Sequence, residues 1–220
     1  MNSLLSRLRG KVRVWRDWLR AVPRRVRLRF QVRGRRFSVI SCNCWGAEIY
    51  RDLGMPYLTP FVGLYILPDD YLALLENYPA MLSSPLEFTV PRKNDSGRGY
   101  PVGLLDGRIE IHFVHYEDEA EARDKWERRC ARLVRDLDST FFMICDRDGC
   151  TGEHLERFER LPFSNKVAFV AHPMAGLAHA VVVPPRDVNA SEVEEGPILY
   201  RQCHGYFSMA NWLNAATPRP

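Results

Sequence analysis

A thiol at the junction between a strand and a helix is the first group in the sequence that could do chemistry. Residues 37–42 are strand-like, the residues after Cys44 can be helical, and Asn43 stands between them. Backbone N–H groups at a helix N-terminus lower the pKa of a thiol and bind anions, so Cys44 is placed like a nucleophile. A buried thiol that only packs is the open alternative, and it is the interpretation we favour for Cys42, inside the strand.

Two histidines in a strand predicted over residues 108–116 could supply the base for such a nucleophile. His112 shares its strand face with Glu110, whereas His115 lies near the end of the strand. With Cys44 as nucleophile and one His as base, the chemistry would be acyl transfer. The sequence does not choose between the two histidines, and a pair of hydrogen-bonded structural histidines is the open alternative.

Two acids follow a continuously apolar strand predicted over residues 140–145. Asp146 or Asp148 could orient the catalytic His, while Asn43 and the backbone N–H groups after Cys44 could stabilise an oxyanion. The same two acids could instead hold Mg²⁺ or Mn²⁺ against a nucleotide-sugar diphosphate, which predicts a glycosyl- or phosphotransferase. An Asx-turn that caps the following helix is the structural alternative.

Three further side chains near predicted strand ends are candidates for substrate contact. Trp45 and Glu48 lie in the first turn of the helix after Cys44, and His172 precedes Pro173 at the end of a predicted strand. Glu48 is the one charge on an otherwise apolar helix turn. A tryptophan is more often a core residue, and for His172 an extended loop position is an equal alternative.

These groups need a scaffold that brings several strand ends together. Strand-like and helix-like runs alternate along the chain, which predicts an α/β fold with a mostly parallel sheet and helices on both faces. In such sheets, ligands bind beyond the carboxyl ends of the strands, where the candidate residues fall. The predicted strands cover residues 36–42, 61–66, 86–90, 108–116, 140–145, 165–171 and 180–183, and the predicted helices cover residues 45–52, 68–75, 117–136, 152–160 and 207–214.

The charge is divided unevenly between an N-terminal arm and a body. Residues 1–36 contain 13 Lys and Arg and one acid, whereas residues 37–220 contain 18 basic and 26 acidic residues. We therefore separate a basic arm, residues 1–36, from a single α/β domain, residues 37–220. In the arm, apolar residues recur at helical spacing as far as Pro23 and Arg fills the positions between them, which predicts a helix on an anionic membrane surface. Packing against the body or a second subunit is the open alternative.

The composition also indicates where in the cell the protein is expected. The sequence has no run of about 18 uncharged apolar residues and no signal-peptide pattern. Its six Cys lack the spacing of a zinc site or a disulfide framework. We expect a reduced, cytoplasmic protein, peripheral at the inner face of the plasma membrane. No nucleic-acid partner is expected because no nucleic-acid motif follows the arm, and the sequence does not indicate an oligomeric state.

Three stretches of the body resemble a bacterial family of unknown function. They are SCNCWGAEIYRDLGMPYLTPFVGL at Ser41–Leu64, IEIHFVHYEDEAEARDKWERR at Ile109–Arg129, and the stretch from DRDGCT to LPFSNKVAF at Asp146–Phe169. The family is domain of unknown function 1919, whose members are often labelled exopolysaccharide or capsular polysaccharide biosynthesis proteins. The resemblance implies a role in surface-glycan assembly, with a glycan or a lipid-linked glycan as substrate.

A second resemblance is to capsule-locus acetyltransferases that use a Cys–His pair at the end of a first strand. It is carried by the junction at Cys44 and a downstream His, and it implies acetyl-CoA as the donor. Three hypotheses therefore stand. They are a Cys–His O-acetyltransferase that acts on a glycan, a metal-dependent glycosyl- or phosphotransferase that uses a nucleotide sugar, and a non-enzymatic, membrane-docked adaptor of a glycan-assembly complex.

Overall fold

The computed structural model describes residues 22–215, and within that range it contains seven α-helices and two β-sheets. The first helix, α1, covers residues 22–31. The elements that follow are β1 Ser38–Ser41, α2 Trp45–Leu53, α3 Pro68–Glu76, β2 Leu86–Lys93, β3 Gly99–Leu105, β4 Ile109–His112, α4 Glu119–Cys130, β5 Thr140–Cys145, α5 Gly152–Arg160, β6 Lys166–Val170, β7 Ala180–Val182, α6 Gly196–Cys203 and α7 Met209–Ala215.

A four-stranded parallel sheet is the centre of the fold. Its strands run in the order β1-β5-β6-β7, and every neighbouring pair is parallel. All residues of β1, β5 and β6 are buried, as expected for strands that are covered on both faces. Among the covering helices, α2 packs with α6 and α3 packs with α5. The predicted α/β fold with a mostly parallel sheet is confirmed.

A second, antiparallel sheet lies beside the first and was not predicted. It has the order β2-β3-β4. Asp106 and Gly107 form the turn between β3 and β4 with φ of 56° and 66°, the left-handed pair that a tight hairpin requires. The strand predicted over 108–116 was too long, since β4 ends at His112. The stretch 92–99 has the polar composition of a loop. In the structure its first two residues end β2 and its last residue begins β3.

The segment 61–66 joins the two sheets, and the strand predicted there was wrong. Tyr65 and His112 exchange both backbone hydrogen bonds at 3.0 Å, but no ladder continues from this single bridge. One residue later, the N–H of Ile66 donates to the carbonyl of Cys42 at 2.8 Å. Gly63 has φ of 74°, which interrupts the extended backbone and explains why the buried run does not form a regular strand. The segment therefore places β4 against the carboxyl end of β1.

The predicted helices are found with changes at their ends. Helices α2, α3, α5 and α7 lie where the sequence predicted them. The helix predicted over 117–136 is shorter: Asp118 caps it by accepting a hydrogen bond from the N–H of Glu121 at 2.8 Å, and it ends at Cys130. Helix α6 was not predicted. No helix between residues 22 and 215 combines the length and the apolar character needed to cross a membrane.

Helix α1 lies within the basic arm predicted over residues 1–36, and it packs on the body. Leu28 and Val32 are buried in the main core. The predicted amphipathic helix before Pro23 lies almost wholly outside the described residues.

Asp52, at the end of α2, anchors α1 to the body. Its carboxylate accepts hydrogen bonds from Arg24 at 2.9 Å, from Arg25 at 2.7 Å and from the hydroxyl of Tyr200 at 3.0 Å. Its backbone carbonyl accepts a further hydrogen bond from Arg29 at 2.7 Å. Because the Asp52 side chain is only 2% exposed, these are contacts of a buried carboxylate rather than a surface ion pair.

Candidate functional site

His112 is the centre of a polar cluster where the two sheets meet. It is the last residue of β4, and its side chain is fully buried. The imidazole stacks on the ring of Tyr65, with centroids 4.3 Å apart and planes 5° apart. The stacking follows from the backbone bridge between the same two residues, which sets their side chains next to each other.

A chain of hydroxyl groups connects the half-buried Tyr65 with the buried imidazole. The Oη atoms of Tyr65 and Tyr100 are 3.3 Å apart, and the Oη of Tyr100 is 3.3 Å from Nδ1 of His112. Tyr100 lies on β3, where Val102 pairs with His112, so strand register brings the phenol within reach of the ring. The Tyr100 hydroxyl therefore connects the Tyr65 hydroxyl to His112 through two long hydrogen bonds.

The other ring nitrogen of His112 faces a carboxylate that an arginine holds in place. Nε2 lies 2.9 Å from Oε1 of Glu110, although the N–H does not point directly at that oxygen. Glu110 and His112 are two residues apart on β4 and therefore share a face. Arg92, on β2, places Nη2 2.8 Å from Oε1 and 2.9 Å from Oε2 of Glu110.

The surroundings of His112 favour its neutral form. Burial lowers the pKa of the imidazole below its ordinary 6.5; the Glu110 carboxylate opposes this shift and Arg92 adds to it. A neutral imidazole keeps one nitrogen free to accept a proton. Burial raises the pKa of Tyr65, and the hydrogen bond to Tyr100 and the charge of Asp148 act in the same direction. Tyr65 therefore remains a phenol that can donate a hydrogen bond.

Cys44 occupies the helix N-terminus that the sequence predicted, but it has the environment of a buried thiol. It stands at the N-cap of α2, and its Sγ donates to the carbonyl of Leu64 at 3.6 Å. Burial raises the pKa of Cys44 to about 11; a backbone hydrogen bond from Gly63 offsets part of this shift, and the charge of Glu48 adds to it. Within residues 22–215, no hydrogen bond joins Cys44 to a histidine.

His115 lies beyond the end of β4 and apart from the His112 cluster. Its backbone N–H donates to the carbonyl of Gly63 at 3.1 Å, and its side chain is exposed. Across the described part of the chain, its ring has no hydrogen-bond or ion-pair partner. Of the two candidate bases, the structure therefore surrounds only His112 with groups that could support proton transfer.

Asp146 and Asp148 follow β5 but do not orient a histidine. Both carboxylate oxygens of Asp146 accept backbone N–H groups, from Ala171 at 2.6 Å and from Val193 at 2.9 Å. Burial raises the pKa of Asp146 and these two hydrogen bonds lower it. The same hydrogen bonds connect the segments around Ala171 and Val193 at the edge of the sheet. Asp148 is exposed at φ of 60° and lies 3.6 Å from Nε of Arg147. Nowhere in residues 22–215 do three His, Cys, Asp or Glu side chains lie close enough together to hold a metal ion.

Asn43 and Trp45 stabilise the junction between β1 and α2 through hydrogen bonds and ring packing. Oδ1 of Asn43 accepts the N–H of Trp45 at 3.0 Å, and its Nδ2 donates to Sγ of Cys145 at 3.4 Å. The Trp45 ring is fully buried and packs against Phe169 and Tyr200, with centroids 5.1 and 5.9 Å away.

Glu48 and His172 lie at the sheet edge without joining the His112 cluster. Glu48 pairs with Arg51 on the next turn of α2. Nε2 of His172 lies 3.1 Å from the carbonyl of Ala190, and the side chain is exposed. The charge of Glu48 acts on Cys44 and adds to the shift of its pKa.

Four members of the cluster were not candidates from the sequence: Glu110, Tyr65, Tyr100 and Arg92. The signal that could have found Tyr100 is the Asp106-Gly107 dipeptide between two strand-like runs, which predicts a hairpin and pairs β3 with β4. Arg92 follows from the same sheet, since it lies opposite Tyr100 across β2 and β3. No local pattern points to Tyr65, whose place depends on a long-range bridge.

Comparisons with known proteins give a family but no activity. Residues 19–214 match the model of the family described as "Domain of unknown function (DUF1919)". A similar protein from Haemophilus influenzae is 43% identical over 146 residues, which cover 66% of this chain and 67% of that protein. Its name is "Uncharacterized protein".

Proposed function

The chain belongs to the DUF1919 family, and we propose that it is a transferase of surface-polysaccharide biosynthesis that moves an acetyl group from acetyl-CoA to a glycan hydroxyl. The observation that carries the proposal is the path Tyr65–Tyr100–His112, which links a half-buried hydroxyl to a buried, neutral base. Transfer to a hydroxyl requires removal of its proton, and general-base assistance contributes about 10²–10⁴-fold to such reactions. The polysaccharide setting is supported by the sequence resemblance described above.

In this mechanism His112 is the proton acceptor and the two tyrosines conduct the proton. The acceptor hydroxyl gives its proton to Tyr65 while Tyr65 passes its own to Tyr100 and Tyr100 passes its own to Nδ1. The glycan oxygen forms a bond to the acetyl carbon, the carbon–sulfur bond breaks, and the CoA thiolate takes the proton back from His112. Glu110, held by Arg92, stabilises the imidazolium that exists between these steps.

The groups around Tyr65 suit a polyhydroxylated acceptor. The charge of Asp148 acts on the Tyr65 phenol, and burial together with the nearby charge of Glu110 raises the pKa of Asp70. Carboxylates accept hydrogen bonds from sugar hydroxyls, and an aromatic ring offers an apolar face to a pyranose.

The same carboxylates disfavour a donor that places its diphosphate at the reacting atom. Arg92 and Arg147 offset part of the charge of Glu110 and Asp148, and the remaining negative charge, with that of Asp70, would weaken the binding of a nucleotide-sugar diphosphate unless a cation lay between them. In acetyl-CoA the phosphates are separated from the reacting carbonyl by the long neutral pantetheine arm. This charge distribution supports the acyl donor over the nucleotide sugar.

Cys44 acts in this proposal as a positioning residue rather than as the nucleophile. Its thiol donates to the carbonyl of Leu64, the residue immediately before Tyr65. With a pKa of about 11, it remains protonated at neutral pH and keeps that bond.

The test is acetyl transfer from isotopically labelled acetyl-CoA to a surface-polysaccharide fraction, followed by mass spectrometry of the glycan. We expect Tyr100→Phe, which keeps the ring and removes the connecting hydroxyl, to lower kcat by about 10²-fold. Tyr206→Phe is the control, because Tyr206 is exposed and lies outside the cluster. Turnover of a nucleotide sugar with Mg²⁺ or Mn²⁺ in place of acetyl-CoA would overturn the proposal, as would glycan synthesis that needs the protein but none of the cluster residues.

A further inference from the structure

Helix α1 carries an apolar stripe on the side that faces away from the body. Val26 is 60% exposed and Phe30 is 79% exposed, and residues four apart lie on the same helix face. At 100° per residue, this face is opposite Leu28, which is buried in the core. The helix is therefore apolar on two sides, and only one of them is used by the described part of the chain.

The positions beside this stripe are positively charged. Residues 22–36 contain seven Arg and no acid. Arg27 lies on one flank of Phe30 and Arg33 follows in the turn after α1; both are exposed. Neither forms an ion pair with any residue between 22 and 215. An apolar stripe between unpaired arginines is complementary to a surface that has an apolar interior and anionic groups above it.

Buried contacts fix the orientation of this face relative to the catalytic body. Arg24, Arg25 and Arg29 are held by Asp52, so they point inward and α1 cannot rotate about its axis. A Cβ at Gly54, next to Asp52, would lie 3.2 Å from Nη2 of Arg29, which shows how closely helix and body approach. The side chains of Val26 and Phe30 therefore point away from the body, and the contacts of α1 with Asp52 keep them in that orientation.

We propose that the outer face of α1, formed by Val26 and Phe30 and flanked by Arg27 and Arg33, docks on an anionic phospholipid membrane. The apolar side chains enter the headgroup–acyl boundary and the arginines contact lipid phosphates. This inference rests on α1 alone and is independent of the reaction at His112. It goes beyond the basic arm predicted from the sequence, because it assigns the contact to specific residues of a helix packed on the body.

The experiment is co-sedimentation of the full chain with phosphatidylcholine vesicles that do or do not contain phosphatidylglycerol. We expect the double variant Val26→Glu/Phe30→Glu to bind phosphatidylglycerol vesicles at least about tenfold more weakly, because it removes apolar burial and adds repulsion. The control is Val90→Glu/Val188→Glu, which makes the same charge change at two residues that are 80% and 83% exposed elsewhere. The control should bind like wild type, and wild-type binding should weaken at high salt.

Two results would overturn the proposal. The first is equal binding of the two double variants to phosphatidylglycerol vesicles. The second is a change from dimer to monomer in the α1 variant with unchanged vesicle binding, which would make the face a contact between two copies. Since all four substituted residues are exposed, both variants should keep the wild-type melting temperature, and that measurement accompanies the binding assay.

Discussion

Replacing Asp52 with Asn should release α1 from the body and lower the stability of the whole chain. Asn has nearly the same volume as Asp, but it carries no charge, and its NH₂ group replaces one acceptor oxygen, so a donor faces either Arg25 or Arg24. The hydroxyl of Tyr200 loses its charged acceptor at the same time. One change therefore disturbs three hydrogen bonds to a carboxylate that is 2% exposed.

The magnitude follows from the burial of the partners. Removing one side of a fully buried ion pair costs about 3–5 kcal/mol. The Arg24 and Arg25 side chains are 29% and 36% exposed, so solvent screens part of the interaction and we expect about 2–4 kcal/mol. In a chain of this size each kcal/mol shifts Tm by about 2–4 °C, so Asp52→Asn should lower Tm by roughly 4–16 °C.

Thermal denaturation and limited trypsin digestion measure the two consequences. Detachment of α1 should speed cleavage at its arginines before the body unfolds. The matched control is Asp124→Asn, because Asp124 is 68% exposed and, among residues 22–215, pairs only with Arg128 on the same helix. The control should change stability by less than about 0.5 kcal/mol. Equal Tm values and equal digestion of the two variants would refute the view that Asp52 anchors α1.

Two further predictions concern buried titrating groups. Burial lowers the pKa of His204 from 6.5 to about 4, and Arg24 acts in the same direction. Because the unfolded chain binds this proton more readily, stability should fall as pH drops from 6.5 to 4, by on the order of 2 kcal/mol. His204→Gln should flatten that part of the pH profile in urea titrations, and an unchanged slope would contradict the assignment. Cys44, with a pKa of about 11, should be about one-thousandth thiolate at pH 8, against about one quarter for an ordinary thiol. Peptide mapping should therefore show its alkylation to be roughly 10²-fold slower than that of free cysteine, whereas an equal rate would contradict the raised pKa of the thiol.

Local patterns were sufficient to predict the parallel half of the fold. The run Thr140–Cys145 is apolar throughout and is bounded by polar residues, so both the strand and its burial on two faces follow from its composition. Helix α5 was also predicted, but its cap is Thr151, whose side chain accepts the N–H of His154, and not an Asx-turn of Asp146 or Asp148. These elements depend on residues near them in the chain.

In the antiparallel half, strands were predicted at β2 and β4, but β3 and the pairing of the three strands were not, because the pairing depends on residues apart in the chain. The run 61–66 has the composition of a buried strand, yet the positive φ of Gly63 and the lack of a ladder partner leave only a bridge to His112. For His112, the sequence pointed to Asp146 or Asp148 as the orienting acid. The structure places Glu110 there, two residues earlier on the same strand, because Arg92 from a neighbouring strand holds that carboxylate.

The most direct test of the central claim is the rate of acetyl transfer to the surface-polysaccharide fraction by wild type, Tyr100→Phe and Cys44→Ser. Serine can still donate to the carbonyl of Leu64, so the account predicts that Cys44→Ser stays within about threefold of the wild-type rate while Tyr100→Phe loses about 10²-fold. The opposite pattern, with Cys44→Ser inactive and Tyr100→Phe unaffected, would contradict a reaction centred on His112 and would place the chemistry at the thiol.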